Sequence, residues 1–164
     1  MPRSKELNQK IKDERREQIL SHALRLFAAK GLAATRIADI AESAHISQGL
    51  LYHYFQHKEE IFIELIATAF DRLNGACHYL EKLPLTPKEK IELAITELLK
   101  GFNGNNDAAH TYLFVTQASV SEAIPIEAKT IIKAKNKVPY TVMERIFAAG
   151  QKEGTVHTGD PREL

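Results

Sequence analysis

The chain has 164 residues, of which 44% are hydrophobic and 26% charged, with a formal net charge of +1. That is room for one or two small domains of ordinary globular composition, and no apolar run approaches the ~20 residues that span a bilayer as a helix. The polar start, Met1 to Arg16, has no signal-peptide pattern, and the one cysteine, Cys77, excludes an internal disulfide and suits a reducing cytoplasm.

In chain order, residues 1–12 read as a flexible basic arm. A first helix is expected from about Asp13 to Lys30, with Ile19, Ala23, Leu26 and Phe27 on one buried stripe and Gly31 as its C-terminal cap. Two short helical patterns follow near 36–44 and 47–54. A long helix is expected from Lys58 to Leu83, ended by Pro84, with Phe62, Leu65, Ile66, Ala69, Leu73, Ala76, Cys77 and Leu80 as a continuous stripe. Thr86-Pro-Lys-Glu89 is a capping box with proline at the first helical position. It opens a helix to about Phe102 with Ile91, Ile95, Leu98 and Phe102 on one face. Gly101 to Asp107 reads as a loop. Another helix runs from about Asp107 to Glu122, carrying Leu113, Phe114, Gln117 and Val120. A last helical stretch, 126–153, contains Pro139, which should kink or split it. Val142, Met143, Ile146 and Phe147 form its inner face and Gly154 ends it. No strand-like alternation, repeat or low-complexity segment is visible, so the expected fold is all-α.

The two short helices carry the functional information. Ile37, Ile40, Ala41 and Ala44 give the first a buried face. The second starts at Ser47, turns Leu51 and Phe55 inward and leaves Gln48, Tyr52 and His53 outside. Helix, tight turn and exposed second helix is the layout of a helix-turn-helix DNA reader, whose second helix enters the major groove. Thr35 and Ser47 are good N-caps. Gly49 allows close approach of backbone to a phosphate or base. Tyr52, His53 and Lys58 supply donors for phosphate oxygens, and Gln48 can bond adenine through both of its amide atoms. The other reading is a helical hairpin within an ordinary bundle, although the polar-tipped run Tyr52-His-Tyr-Phe55 fits a pure core poorly. Charge agrees with DNA: residues 1–58 hold ten Lys and Arg against six acids, leaving an acidic remainder that DNA would repel.

These residues resemble the N-terminal domain of the tetracycline-repressor (TetR) family of bacterial regulators. The match runs from Arg16-Glu-Gln-Ile-Leu through Ala23-Leu-Arg-Leu-Phe-Ala-Ala-Lys-Gly31, Thr35, Asp39-Ile-Ala41 and Ile46-Ser-Gln-Gly-Leu-Leu-Tyr-His-Tyr-Phe55. It closes with His57-Lys-Glu-Glu-Ile-Phe62, with no gap. The resemblance implies a DNA-binding domain over 1–57, with Thr35, Arg36, Ser47, Gln48, Gly49, Leu50, Tyr52, His53 and Lys58 facing DNA. It implies a helical effector-binding and dimerisation domain over 58–164, and a repressor whose DNA affinity falls when a small molecule binds. Two departures stand out. His45 occupies a turn position that usually carries glycine, and histidine is among the few residues that tolerate a left-handed backbone. The sequence ends at Leu164, where the family's last two helices, which usually build the dimer interface, would begin. The complete protein is therefore expected to be a homodimer and the chain ending at Leu164 to dimerise weakly or not at all.

For the effector, Phe70, Leu73, Cys77, Phe102, Tyr112, Met143 and Phe147 are candidates to enclose a cavity, with Asn74, His78 and Gln117 as polar contacts. Taken singly, most of these read as plain core, Cys77 included. No catalytic or metal-binding constellation appears: there is no His-Glu-x-x-His, no Cys/His cluster, no Gly-rich phosphate loop and no Gly-x-Ser-x-Gly. Glu59-Glu60 read as first-turn acids favoured by the helix dipole. The expectation is a cytoplasmic, ligand-responsive transcriptional regulator with no enzyme activity, cofactor or membrane partner, its partners being double-stranded operator DNA and a small-molecule effector. The alternative is a helical protein-interaction module that does not bind DNA.

Overall fold

The computed structural model describes residues 2–103 and 107–161, and side chains within 5–101 and 107–161. Among the described residues eight helices follow one another: α1 (Pro2–Ala34), α2 (Ile37–Ser43), α3 (Gln48–Tyr54), α4 (Lys58–Lys82), α5 (Pro87–Asn103), α6 (Ala108–Val120), α7 (Ile126–Lys135) and α8 (Lys137–Lys152). Among the described residues there is no strand, and no helix is long and apolar enough to cross a membrane.

The start of the chain differs from the expected arm, because helix already begins at Pro2. Its residues are good helix formers, and Gln9–Asp13 and Lys10–Glu14 pair one turn apart, which supports a solvated helix. Gly31 breaks α1 as expected, with φ 76 and ψ 171, a conformation costly for residues that carry a Cβ.

Further along, Thr86 and Glu89 exchange the hydrogen bonds of the capping box. The loop expected from Gly101 is helical to Asn103, and residues 104–106 lie outside the described residues. The 126–153 stretch divides at Asn136, three residues before Pro139. Proline thus sits in the first turn of α8, where its missing N–H costs little. The expected inward face of α5 is only half realised. Ile91 packs on the second core cluster, whereas Ile95 and Leu98 are 53% and 56% exposed.

The main core is continuous from the first helices into the bundle. Ile19, Ala23 and Phe27 of α1, Ile40 of α2 and Leu51 of α3 belong to one buried cluster with Phe62, Ile66 and Phe70 of α4, Phe114 of α6 and Ile132 of α7. At its centre, Phe27, Phe62 and Phe114 meet ring to ring, with centroids 4.9–6.1 Å apart. Such aromatic contacts add about 0.5–1.5 kcal/mol each beyond area burial. A smaller cluster of Leu80, Val142 and Ile146 binds α8 to the far end of α4.

Candidate DNA-reading head and effector cavity

The helix-turn-helix is built by burying one face of each short helix. Ile40 and Ala41 of α2, with Leu51 and Phe55 at α3, are buried, and this turns the opposite face of α3 outward. Gln48, Gly49, Leu50, Tyr52 and His53 are all exposed, as are Arg36 and Ser47. Leu50 and Tyr52 are 38% and 45% exposed, unusual for large side chains without a partner surface. Ser47 caps α3, its Oγ accepting the Leu50 N–H at 3.1 Å. The turn is a Schellman motif. The His45 N–H donates to Glu42 O and the Ile46 N–H to Ala41 O at 3.1 and 3.0 Å, with His45 at φ 54. Histidine stands there in the left-handed region that glycine occupies at no steric cost.

Two residues expected at the phosphates are used differently. Thr35 is completely buried; its hydroxyl donates to Gly31 O at 2.7 Å. It is also not the cap of α2, which is Arg36. The Lys58 ammonium donates to Leu32 O at 2.7 Å, Thr35 O at 2.8 Å and Ala33 O at 3.3 Å. An ammonium has three protons, and these carbonyls occupy all three. The geometry makes Lys58 a clamp on the end of α1 in place of the expected free phosphate anchor. Neither use could be read from residue type, since the same donor serves a carbonyl or a phosphate.

Asp39, which sequence reasoning did not single out, organises the entry to α2. It accepts the Arg36 N–H at 3.1 Å and the Lys30 ammonium at 2.6 Å. The Lys30 bond, with that backbone bond, holds its carboxyl below the usual carboxylate range. An acid three residues into a helix is the available signal for this. Arg16 was likewise missed as a functional clasp. Its guanidinium is paired with Glu64 of α4 and lies 4.5 Å from the Phe55 ring centroid, tying α1, α3 and α4 together.

Behind the head lies a cavity of ≈ 930 Å³, within the range of small-molecule sites. Of the expected lining, Phe70, Leu73 and Tyr112 are there. The others are not. Asn74 donates to Lys135 O at 3.1 Å. Cys77 and Met143 pack on the second core cluster, and burial pushes the Cys77 thiol pKa up. His78 is an exposed neighbour of Glu81, Gln117 donates to Ala28 O at 3.3 Å, and Phe147 is half-buried on α8. The side chain of Phe102 lies outside the described residues. What the sequence reading lacked was α1: Leu20, Ser21 and Leu24, from the first helix of the reading head, form part of the cavity wall.

That wall is latched. Asp107, at the start of α6, also lines the cavity. It accepts from Ser21 Oγ at 2.5 Å and from Arg25 Nε at 2.9 Å. Burial alone would raise its pKa, but the bonds from Ser21 and Arg25 outweigh burial and hold it below the usual range. With Gln117 bonded to Ala28 O, α6 is fastened to α1 at two places.

An exposed reading helix on a three-helix head, fused through a continuous core to a helical bundle with a cavity, defines a ligand-responsive DNA-binding regulator. Residues 19–65 match the family described as bacterial regulatory proteins, tetR family, which supports a transcriptional regulator of that kind. It is 29% identical over 153 residues to the HTH-type transcriptional repressor KstR2 of Rhodococcus jostii, covering 93% of this chain and 73% of that protein. Its fold is similar to that of the probable transcriptional regulatory protein RHA5900, with TM-score 0.73 and 26% identity over 91% of this chain and 77% of the other. AibR, crystallised with isovaleryl coenzyme A and operator DNA, shares the fold at TM-score 0.71 and 20% identity, over 91% of this chain and 78% of that one.

Proposed function

We propose that this protein is a cytoplasmic repressor that holds a palindromic operator until a small apolar or amphipathic effector fills the cavity behind the reading head. Residues 1–57 read DNA and 58–164 bind the effector and dimerise. Gln48, Gly49, Leu50, Tyr52 and His53 face the major groove, with Arg36 and Ser47 at its edge. The observation that carries the reading is the shared wall, since the helix that scaffolds the head also lines the cavity. An occupant pressing on Leu20 and Leu24, or displacing Ser21 from Asp107, moves α1 directly. The long helix α4 offers a parallel route, because Phe62 packs in the head core and Phe70 and Leu73 lie at the cavity.

The complete protein acts as a homodimer whose two heads meet half-sites about 34–36 Å apart; a small tilt of α1 or α4 breaks that register. Coupling of this kind needs an effector that binds one conformation better than the other. Exposed Leu99, Leu113, Val120 and Ile126 on α5, α6 and α7 support an interface on that side of the bundle.

The test is a mobility shift on the promoter of the protein's own gene at two salt concentrations. A DNA reader loses affinity steeply with salt, and Gln48→Ala relaxes preference at one base position by about 1–3 kcal/mol. Salt-independent binding, or unchanged base preferences in the variant, would discard respectively the DNA-binding reading and the role of Gln48. The first result would favour a protein-interaction module.

A further inference from the structure

The chemistry of the cavity wall narrows the effector. Three charged side chains line it: Glu17, Arg72 and Asp107. Asp107 is already spent on Arg25 and Ser21. Glu17 lies in the field of Arg16, the next residue on α1. Arg72 is different. Its neighbour in sequence, Asp71, is taken by Lys135 of α7, and among the described residues Arg72 forms no ion pair or side-chain hydrogen bond. A guanidinium is weakly hydrated and offers a rigid fork that matches a carboxylate or phosphate with two hydrogen bonds. On one flank of a cavity whose other walls include Leu20, Leu24, Leu65 and Phe70, it is a receptor for a single anionic group on an apolar body.

A second polar atom is unspent. Asn136, at the joint of α7 and α8, also lines the cavity, and its Oδ1 is buried with no hydrogen-bond partner. Buried acceptors are nearly always paired, so this oxygen calls for an N–H or O–H donor from an occupant.

We infer that the cavity binds an amphiphile with one anionic head held by Arg72, an apolar body lying along α1 and α4, and a hydroxyl or amide donor that reaches Asn136. The inference rests on the effector-cavity reading above and adds the ligand's class to it.

Calorimetric titration of the 164-residue chain with decanoate, decyl phosphate and decanol, each below its micelle threshold, tests the head group. Decanoate or decyl phosphate should bind roughly tenfold more tightly than decanol, the range of a charge-assisted hydrogen bond; the tighter of the two identifies the head. In Arg72→Gln that advantage should vanish while decanol binding stays the same. Equal affinity of acid and alcohol, or an unaltered advantage in Arg72→Gln, overturns the anionic head and leaves the cavity reading standing. Absence of binding by all three overturns both. For Asn136, 3-hydroxydecanoate should bind several-fold more tightly than decanoate, and Asn136→Leu should erase that gain without weakening decanoate. A gain that survives in Asn136→Leu removes Asn136 from the site.

Discussion

Replacing Lys58 with methionine separates two roles that a lysine at this position could play. Methionine keeps the apolar stem and removes the three donors. In the structure those donors close the end of α1 on the carbonyls of Leu32, Ala33 and Thr35. The Leu32 carbonyl keeps a partner in the variant, because it also accepts the Thr35 N–H at 3.3 Å. The carbonyls of Ala33 and Thr35 lose theirs, and that of Ala33 is in an exposed setting where water can replace it. Hydrogen bonds to charged groups are worth about 1.5–3 kcal/mol each when well buried. Lys58 is half-buried, so the net loss should be about 2 kcal/mol, a drop of roughly 4–8 °C in melting temperature for a chain of this size. The same variant should leave the salt dependence of DNA affinity unchanged, because the ammonium is not free to displace a counterion. Urea unfolding and DNA titrations across a salt series measure both. A salt slope lower by about one unit with an unshifted unfolding midpoint would refute the clamp and restore Lys58 to the phosphates.

Two further outcomes are expected in the head. His45→Gly should stabilise the fold by about 0.5–1 kcal/mol, since it removes the Cβ from a left-handed backbone that the Schellman turn requires; a loss of stability in urea would mean that the imidazole itself supports the turn. His22, whose Nδ1 lies 2.8 Å from Ser43 Oγ, has a lowered pKa, chiefly from burial and then from Arg25 and His45. Its contribution is therefore complete above the ordinary histidine value of about 6.5 and is lost as pH falls through the depressed folded value. Wild type should lose more stability between pH 7 and pH 5 than His22→Gln, and equal losses would exclude His22 as a source of acid sensitivity.

The sequence revealed what local rules decide. Ser47 caps α3, Thr86 and Glu89 close their box, Gly31 stops the first helix and His45 adopts the left-handed turn, because each depends only on residues a few positions away. The cavity was far less legible. Helical periodicity shows that Cys77, Met143 and Phe147 share apolar faces, but not which neighbour those faces meet; Cys77 and Met143 meet the Leu80–Val142–Ile146 cluster. Nor does periodicity show that α1 has two useful sides. Ala23 and Phe27 serve the core, while Ser21 and Leu24 also form the cavity wall. The ends of Lys58 and Thr35 are set by tertiary contact, between groups 23–26 residues apart for the lysine, and no local pattern encodes that.

The ring contact of Phe27, Phe62 and Phe114 bears on how such proteins can be recombined. Each ring comes from a different helix, and two of the three helices lie wholly beyond residue 57. A chain cut there keeps every residue of the helix-turn-helix but strips two of three rings from the centre of its core, along with the Glu64 partner of Arg16. Grafting this head onto another sensor therefore demands more than a matched splice point. The recipient must offer aromatic bulk where Phe62 and Phe114 stand and a carboxylate where Glu64 stands, or the transplanted reader arrives without its floor.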